Sequence, residues 1–147
     1  IKSALPLLDY ALRKHGVRNQ LKIIASGKLF SADRVAIALA SGADLVNIAR
    51  GFMITVGCIQ ALKCQSNACP VGVATTDAEL QQALVIDEKK YRTANYLISL
   101  REGLFRIASA VGVESPVQFR KEHVVYKDEK GRIWSLEELY EPIVSKK

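Results

Sequence analysis

The chain has 147 residues, 49% apolar and 24% charged, enough to bury one core and too apolar for an intrinsically disordered segment. Its formal net charge is +6, but the Lys and Arg residues alternate with acids, as in Asp87-Glu88-Lys89-Lys90 and Lys127-Asp128-Glu129-Lys130. No basic block with interleaved aromatics points to nucleic acid. No apolar run reaches the roughly 18 residues of a membrane span and no leader pattern opens the chain, so we expect a soluble, cytoplasmic protein with neither membrane nor nucleic acid as partner.

Ile1 stands where an initiating Met would, which leads us to expect a segment of a longer chain. Leu5, Leu8 and Leu12, with Ala4, Leu7 and Ala11 beside them, predict a helix from Leu5 to His15 that Gly16 stops. Leu21 to Gly27 reads as a short buried strand running into a glycine turn. Ser31 is placed to cap a second helix with Ala32, Val35, Ala36 and Leu39 on one face, ended by Gly42. Ala43 to Ala49 reads as a second strand, and the apolar segment from Phe52 to Leu62, opened by Gly51, as a buried helix. A strand–helix–strand unit with tight loops implies parallel strands and a right-handed crossover. Two parallel strands cannot bury both faces of a sheet, so this region is expected to end a larger α/β structure.

Cys58 to Thr76 breaks the periodicity and reads as an ordered loop. Tyr91, Ala94, Ile98, Phe105 and Ala108 predict one face of a long helix from Glu88 to Val111, stopped by Gly112. Ser115-Pro116 marks a short helical turn, and His123–Lys127 with Arg132–Trp134 a hairpin. Ser135-Leu136-Glu137-Glu138 fits a capping box that opens a last helical turn. The expected organisation is a βαβ segment over 1–57, a cysteine loop over 58–76 and a helical extension with a small hairpin over 77–147.

Two constellations carry chemistry. Ser26-Gly27-Lys28 follows the first strand and Arg50-Gly51 the second. In eight-stranded α/β barrels a phosphate site lies after the last two strands, at the start of a short helix. Glycine lets the backbone approach a phosphate, and Lys28 and Arg50 supply charge. Taken alone, an ordinary glycine turn with solvent-facing cations accounts for the same residues. The second constellation is Cys58-x5-Cys64-x4-Cys69-Pro70. Thiolates suit iron–sulfur clusters and zinc, and a proline after a cluster cysteine is familiar from ferredoxin runs. With Cys58 and Cys64 near the end of the apolar helix, a spacing of six puts them on one flank. Zinc and three inert buried thiols remain the alternatives, although zinc favours shorter cysteine knuckles and four ligands.

The run Cys58-Ile59-Gln60-Ala61-Leu62-Lys63-Cys64-Gln65-Ser66-Asn67-Ala68-Cys69-Pro70-Val71-Gly72-Val73-Ala74-Thr75 closely resembles the cluster loop in the synthase domain of glutamate synthases. Ile24-Ala25-Ser26-Gly27-Lys28-Leu29 resembles that family's FMN-phosphate turn, Gly42-Ala43-Asp44 the lead-in to its last barrel strand, and Tyr91-Arg92-Thr93-Ala94-Asn95-Tyr96 the helix after the cluster loop. The likeness covers roughly Leu21 to Gly112, and more loosely continues to Tyr140. Lys28, where the large bacterial enzymes carry glycine, and Ala49-Arg50, where they carry small residues, look more like the shorter stand-alone FMN-binding synthase-domain proteins.

The resemblance implies the last two strands of a (β/α)8 TIM barrel, then a cluster loop and a helical extension. It implies FMN, contacted by Ser26, Gly27, Lys28, Arg50 and Gly51, and a [3Fe-4S] cluster on Cys58, Cys64 and Cys69. The implied parent is a flavoprotein oxidoreductase of glutamate biosynthesis and nitrogen metabolism, acting in reductive amination of 2-oxoglutarate with ammonia or glutamine-derived ammonia. Electrons would come from a donor protein or reductase subunit through the cluster to FMN. An iron–sulfur electron-transfer or binding module without that activity, and a zinc-stabilised structural domain, are the alternatives. The remainder of the barrel is an expected partner, and the segment by itself is expected to be inactive. Its open strand edges are expected either to self-associate or to rearrange.

Overall fold

The computed structural model describes residues 4–140, so the last residues of the expected helical extension, 141–147, lie outside it. Contacts divide these residues into two compact units. One comprises 4–47 with 102–140; the other is Ile48–Arg101. The architecture is α/β, with six α-helices and two small two-stranded sheets among the described residues.

The first unit begins with α1 (Ala4–Lys14). Gly16, at φ +70°, ends it: the Val17 N–H donates to Leu12 O and the Gly16 N–H to Arg13 O. A 3-10 turn, Arg18–Gln20, leads to β1 (Ile24–Ser26), which is shorter than the strand expected from Leu21. Leu21 is exposed because Arg18 folds back to donate to its carbonyl, diverting the chain before the ladder begins. Then come α2 (Ala32–Ala40) and β2 (Leu45–Asn47). The strands pair in parallel, Ile24 opposite Leu45 and Ser26 opposite Asn47. Ser31 occupies the N-cap position with extended backbone, but its side chain makes no capping bond and instead hydrogen-bonds the Asp33 carboxylate. Ala25 is buried, whereas Ile24 is 61% and Leu45 55% exposed.

Ala36, Ala40, Ala108 and Phe119 form a buried cluster on which Leu39, Leu104, Ile107 and Val124 pack. Small residues let the helices close: a Cβ on Gly103 would stand 2.8 Å from that of Ala32. Asp9, 1% exposed, sits under this unit's charges. It accepts from Arg13 Nε at 2.9 Å and Arg18 Nε at 2.8 Å, and pairs with Lys121 Nζ at 3.0 Å. Arg18 continues to Gly42 O and to Asp44, whose carboxylate also accepts from the Ile23 N–H. Gly42 allows this packing; a Cβ there would lie 2.6 Å from Asp9. The expected hairpin is present as β3 (Val125–Lys127) and β4 (Ile133–Ser135), antiparallel. Its turn is built on Asp128, which accepts from the Lys130 and Arg132 N–H groups. The expected capping box at Ser135 and Glu138 opens the last described helix, Leu136–Tyr140.

In the second unit, α3 runs over Ala49–Thr55. It starts two residues before Gly51 and ends well before Leu62, because Gly57 takes φ +104° and closes it. The short α4 (Ala78–Gln81) is capped by Asp77, which accepts from the Glu79 and Leu80 N–H groups. Helix α5 (Ile86–Ala110) starts in this unit and ends in the other; the Leu136–Tyr140 helix is α6.

The predicted face of α5 holds at Ala108, which is buried, and is displaced over the rest of the helix. Tyr91, Ile98 and Phe105 are exposed. Thr93, Tyr96, Leu100, Leu104 and Ile107 turn inward instead. The helix carries two apolar stripes, and packing selects the one that fits. Gly51 leaves room for the Tyr96 hydroxyl, Phe52 meets the Tyr96 ring edge-on at 5.1 Å, and Thr55 shares a hydrogen bond with Thr93.

Candidate functional site

The cysteine loop is fixed at both ends. At its start, the Cys58 N–H donates to Met53 O and the Gly57 N–H to Ile54 O, so Cys58 is held by the end of α3. It lies beyond the helix, not on its flank as the sequence suggested. At the far end Asn67, left-handed at φ +58°, clasps the loop. Its carbonyl accepts from Thr75 Oγ1 at 2.6 Å and its side-chain oxygen from the Thr76 N–H at 2.7 Å. Gly72 is buried, and a Cβ there would come 2.7 Å from Leu80 O. Cys64 opens a 3-10 turn, Cys64–Ser66, between these anchors.

Cys58, Cys64 and Cys69 all line one cavity of about 210 Å³. Cys69 is buried, Cys58 half-buried and Cys64 exposed. The backbone N–H groups of Ala74 and Val71, with those of Val73 and Gly72, hold the Cys69 thiol below its ordinary pKa against the opposing effect of burial. Met53, Ile59, Leu62 and Val71 give the cavity apolar walls; Arg50 and Lys63 are its cations, and neither carboxylate nor imidazole lines it. The donor set is therefore wholly thiol, in an electropositive and largely apolar setting. That chemistry fits a soft metal group carrying negative charge. Among the described residues, no three His, Cys, Asp or Glu side chains gather closely enough to share a single metal ion.

Ser26, Gly27 and Lys28 form an exposed turn at the end of β1. Gly27 has φ +116° and Lys28 φ +56°. The turn is anchored by buried Leu29 and by Arg34, whose guanidinium donates to Lys28 O at 3.3 Å and lies over the Phe30 ring. Arg34 thus adds a second cation beside Lys28. Its sequence signal was weak, a lone Arg in the first turn of a helix. Arg50 and Gly51 belong to the other unit, inside the first turn of α3 rather than ahead of it. There Gly51 is the seat for Tyr96, and Arg50 lines the cysteine cavity.

Left-handed backbone marks both loops. Among the described residues, the non-glycine positions with positive φ are Lys28, Gln60, Leu62 and Asn67. One lies in the turn after β1 and three in the cysteine loop. Such conformations cost free energy and persist where surrounding structure imposes them, often at binding sites.

The sequence model of the conserved region in glutamate synthase matches residues 1–114. This chain belongs to the glutamate synthase family. It is 57% identical over 99% of its length to the glutamate synthase large subunit-like protein YerD of Bacillus subtilis, covering 28% of that relative. It is 33% identical over 78% of its length to the archaeal glutamate synthase [NADPH] of Methanocaldococcus jannaschii, covering 22% of it. The glutamate synthase [NADPH] large chain of Bacillus subtilis is 28% identical over 71% of this chain, which covers 7% of that protein. The chain thus spans about a quarter of the length of the first two. Among the described residues, no helix is long and apolar enough to cross a membrane.

Proposed function

We propose that this chain is the cofactor-bearing end of a glutamate synthase-like oxidoreductase, with Cys58, Cys64 and Cys69 holding an iron–sulfur cluster and the turn Ser26-Gly27-Lys28 contacting the phosphate of FMN. The observation that carries the reading is the meeting of all three thiols on one cavity, walled by apolar side chains and two cations. When bound, the cluster supplies one-electron transfer and the flavin hydride transfer; the protein supplies position, burial and charge. Gly57 and the Asn67 clasp set the loop's ends, and the N–H groups around Cys69 favour its thiolate. Gly27 brings backbone close to a phosphate and Lys28 adds charge, with Arg34 bracing the turn. The parent reaction is the reductive amination of 2-oxoglutarate to glutamate within a barrel of which β1 and β2 are the last two strands.

A single zinc ion would draw its sulfurs to about 4 Å of one another. A structural zinc also takes four protein ligands, whereas this cavity's lining offers three thiols and neither imidazole nor carboxylate. The test uses the intact protein. Iron and labile sulfide should be present in the parent and lost in Cys58→Ser, Cys64→Ser and Cys69→Ser, along with the visible absorbance. Full iron and sulfide in all three variants would overturn the assignment. Zinc without sulfide would favour the structural reading, and a cluster without FMN binding or glutamate formation the electron-transfer module.

A further inference from the structure

We propose that Arg50 is a positioning residue for the cysteine cavity, raising the reduction potential of the group held there, rather than a ligand of the flavin phosphate. The inference rests on the cluster reading above and goes beyond it in assigning the cavity's electrostatics to one side chain.

The cavity supplies the argument. Three thiolates bring negative charge, and a metal–sulfide group bound by them carries more when reduced than when oxidised. The lining offers two cations, Arg50 and Lys63, and no acid to offset them. A nearby positive charge stabilises the more negative, reduced form, so it raises the potential. The lining is otherwise largely apolar, which weakens screening on that side.

Arg50 and Lys63 are not equivalent. Lys63 lies in the loop beside left-handed Leu62, with the exposed Cys64 next to it. Arg50 stands on α3, whose start is seated by Gly51 against Tyr96 and whose end is closed by Gly57. Arg50 and Met53, three apart on that helix, both reach the cavity, so they share a helix face. A guanidinium also stays charged at every working pH and presents several N–H donors to sulfur or sulfide. The observation that assigns Arg50 here is that it lines the cysteine cavity together with the three thiols.

The experiment is an anaerobic redox titration of the intact holoprotein with dithionite, followed by electron paramagnetic resonance, on the parent, Arg50→Gln, Arg50→Lys and Lys63→Gln. Iron and sulfide are measured first. Their absence from the parent would count against the cluster reading itself, not against Arg50. With the cluster present, Arg50→Gln should keep its iron and sulfide. At a fixed potential its reduced-to-oxidised ratio should fall by roughly three- to tenfold. The shift should shrink at high salt, because Arg50 is exposed. Arg50→Lys should restore most of it, and Lys63→Gln should shift it less. FMN affinity in Arg50→Gln should stay within about twofold of the parent, against the roughly tenfold or greater loss of a charge-assisted phosphate contact. An unshifted potential with full cluster content would overturn the proposal. So would a large loss of FMN affinity, or, should Arg50→Gln lose its cluster, an unshifted potential in a loaded Arg50→Met.

Discussion

Asp9 shows how one buried carboxylate can organise a unit. Burial alone would push its pKa up, but hydrogen bonds from Arg13, Arg18 and Lys121 outweigh that and hold it below the ordinary carboxylate value. Asp44 is lowered in the same way, by the Ile23 N–H and Arg18 against burial. Both groups have lower pKa values folded than unfolded, so their contribution is complete above the unfolded value of about 4. It is lost as pH falls through that value toward the folded one. Urea midpoints should therefore drop below about pH 4. Asp9→Asn should lower stability at neutral pH by about 3 kcal/mol, since it leaves three cations around a neutral group, and should flatten the acid slope. A variant with an unchanged midpoint at neutral pH would show that the cluster of charges is not structural. Little of this was legible in the sequence: Asp9 sits among ordinary helix residues, and its partners come from positions 13, 18 and 121. The cysteines, by contrast, were legible as a set because thiols are rare and closely spaced. Their mutual arrangement was not, because neither Gln60 nor Leu62 advertises a left-handed backbone.

At the scale of elements, α1, α2, α3 and α5 end in the same way, with a glycine at positive φ and paired hydrogen bonds back into the last turn. Gly16, Gly42 and Gly112 were readable as stops because apolar periodicity failed beyond them. Gly57 was not, because the apolar residues of Phe52–Leu62 continue past it, and the expected helix ran on through Cys58. The position of Cys58 depends on this glycine. A Cβ at Gly57 would meet only Lys89, at an ordinary 3.6 Å, so alanine there is resisted by the backbone and not by crowding. We expect Gly57→Ala to cost about 1–3 kcal/mol and to lower iron and sulfide content, although no cysteine is altered. Unchanged metal content at an unchanged melting temperature would show that α3 need not end there. The face of α5 was misread around Tyr91 and Ile98, though not at Ala108, for a different reason: a helix with two apolar stripes leaves the choice to its neighbours, and Gly51 and Phe52 decide it for Tyr96.

At the scale of the molecule, β1 and β2 carry exposed apolar side chains at Ile24 and Leu45, and among the described residues their pairing leaves two further edges open. A parallel pair of this kind is stable in a larger, covered sheet. We therefore expect the isolated 147 residues to sediment as associated species, and Ile24→Lys with Leu45→Lys to shift them toward monomer. A monodisperse parent at high concentration would count against the barrel reading. The division of the chain has a kinetic consequence as well. Residues 48–101 interrupt the sequence of the first unit, which resumes at Glu102. Bringing the two halves of that unit together closes a long loop, at an entropic cost of about 3–4 kcal/mol if the interrupting stretch is still a random coil. Collapse of that stretch first shortens the search, so folding should be ordered, with the cysteine-bearing part early and the closing of Asp9 onto Lys121 late. Trp134 is the chain's single tryptophan and belongs to the late-closing part. Its fluorescence should thus recover after the cysteine-bearing stretch gains its helical signal in refolding, and coincident phases would argue for simultaneous closure.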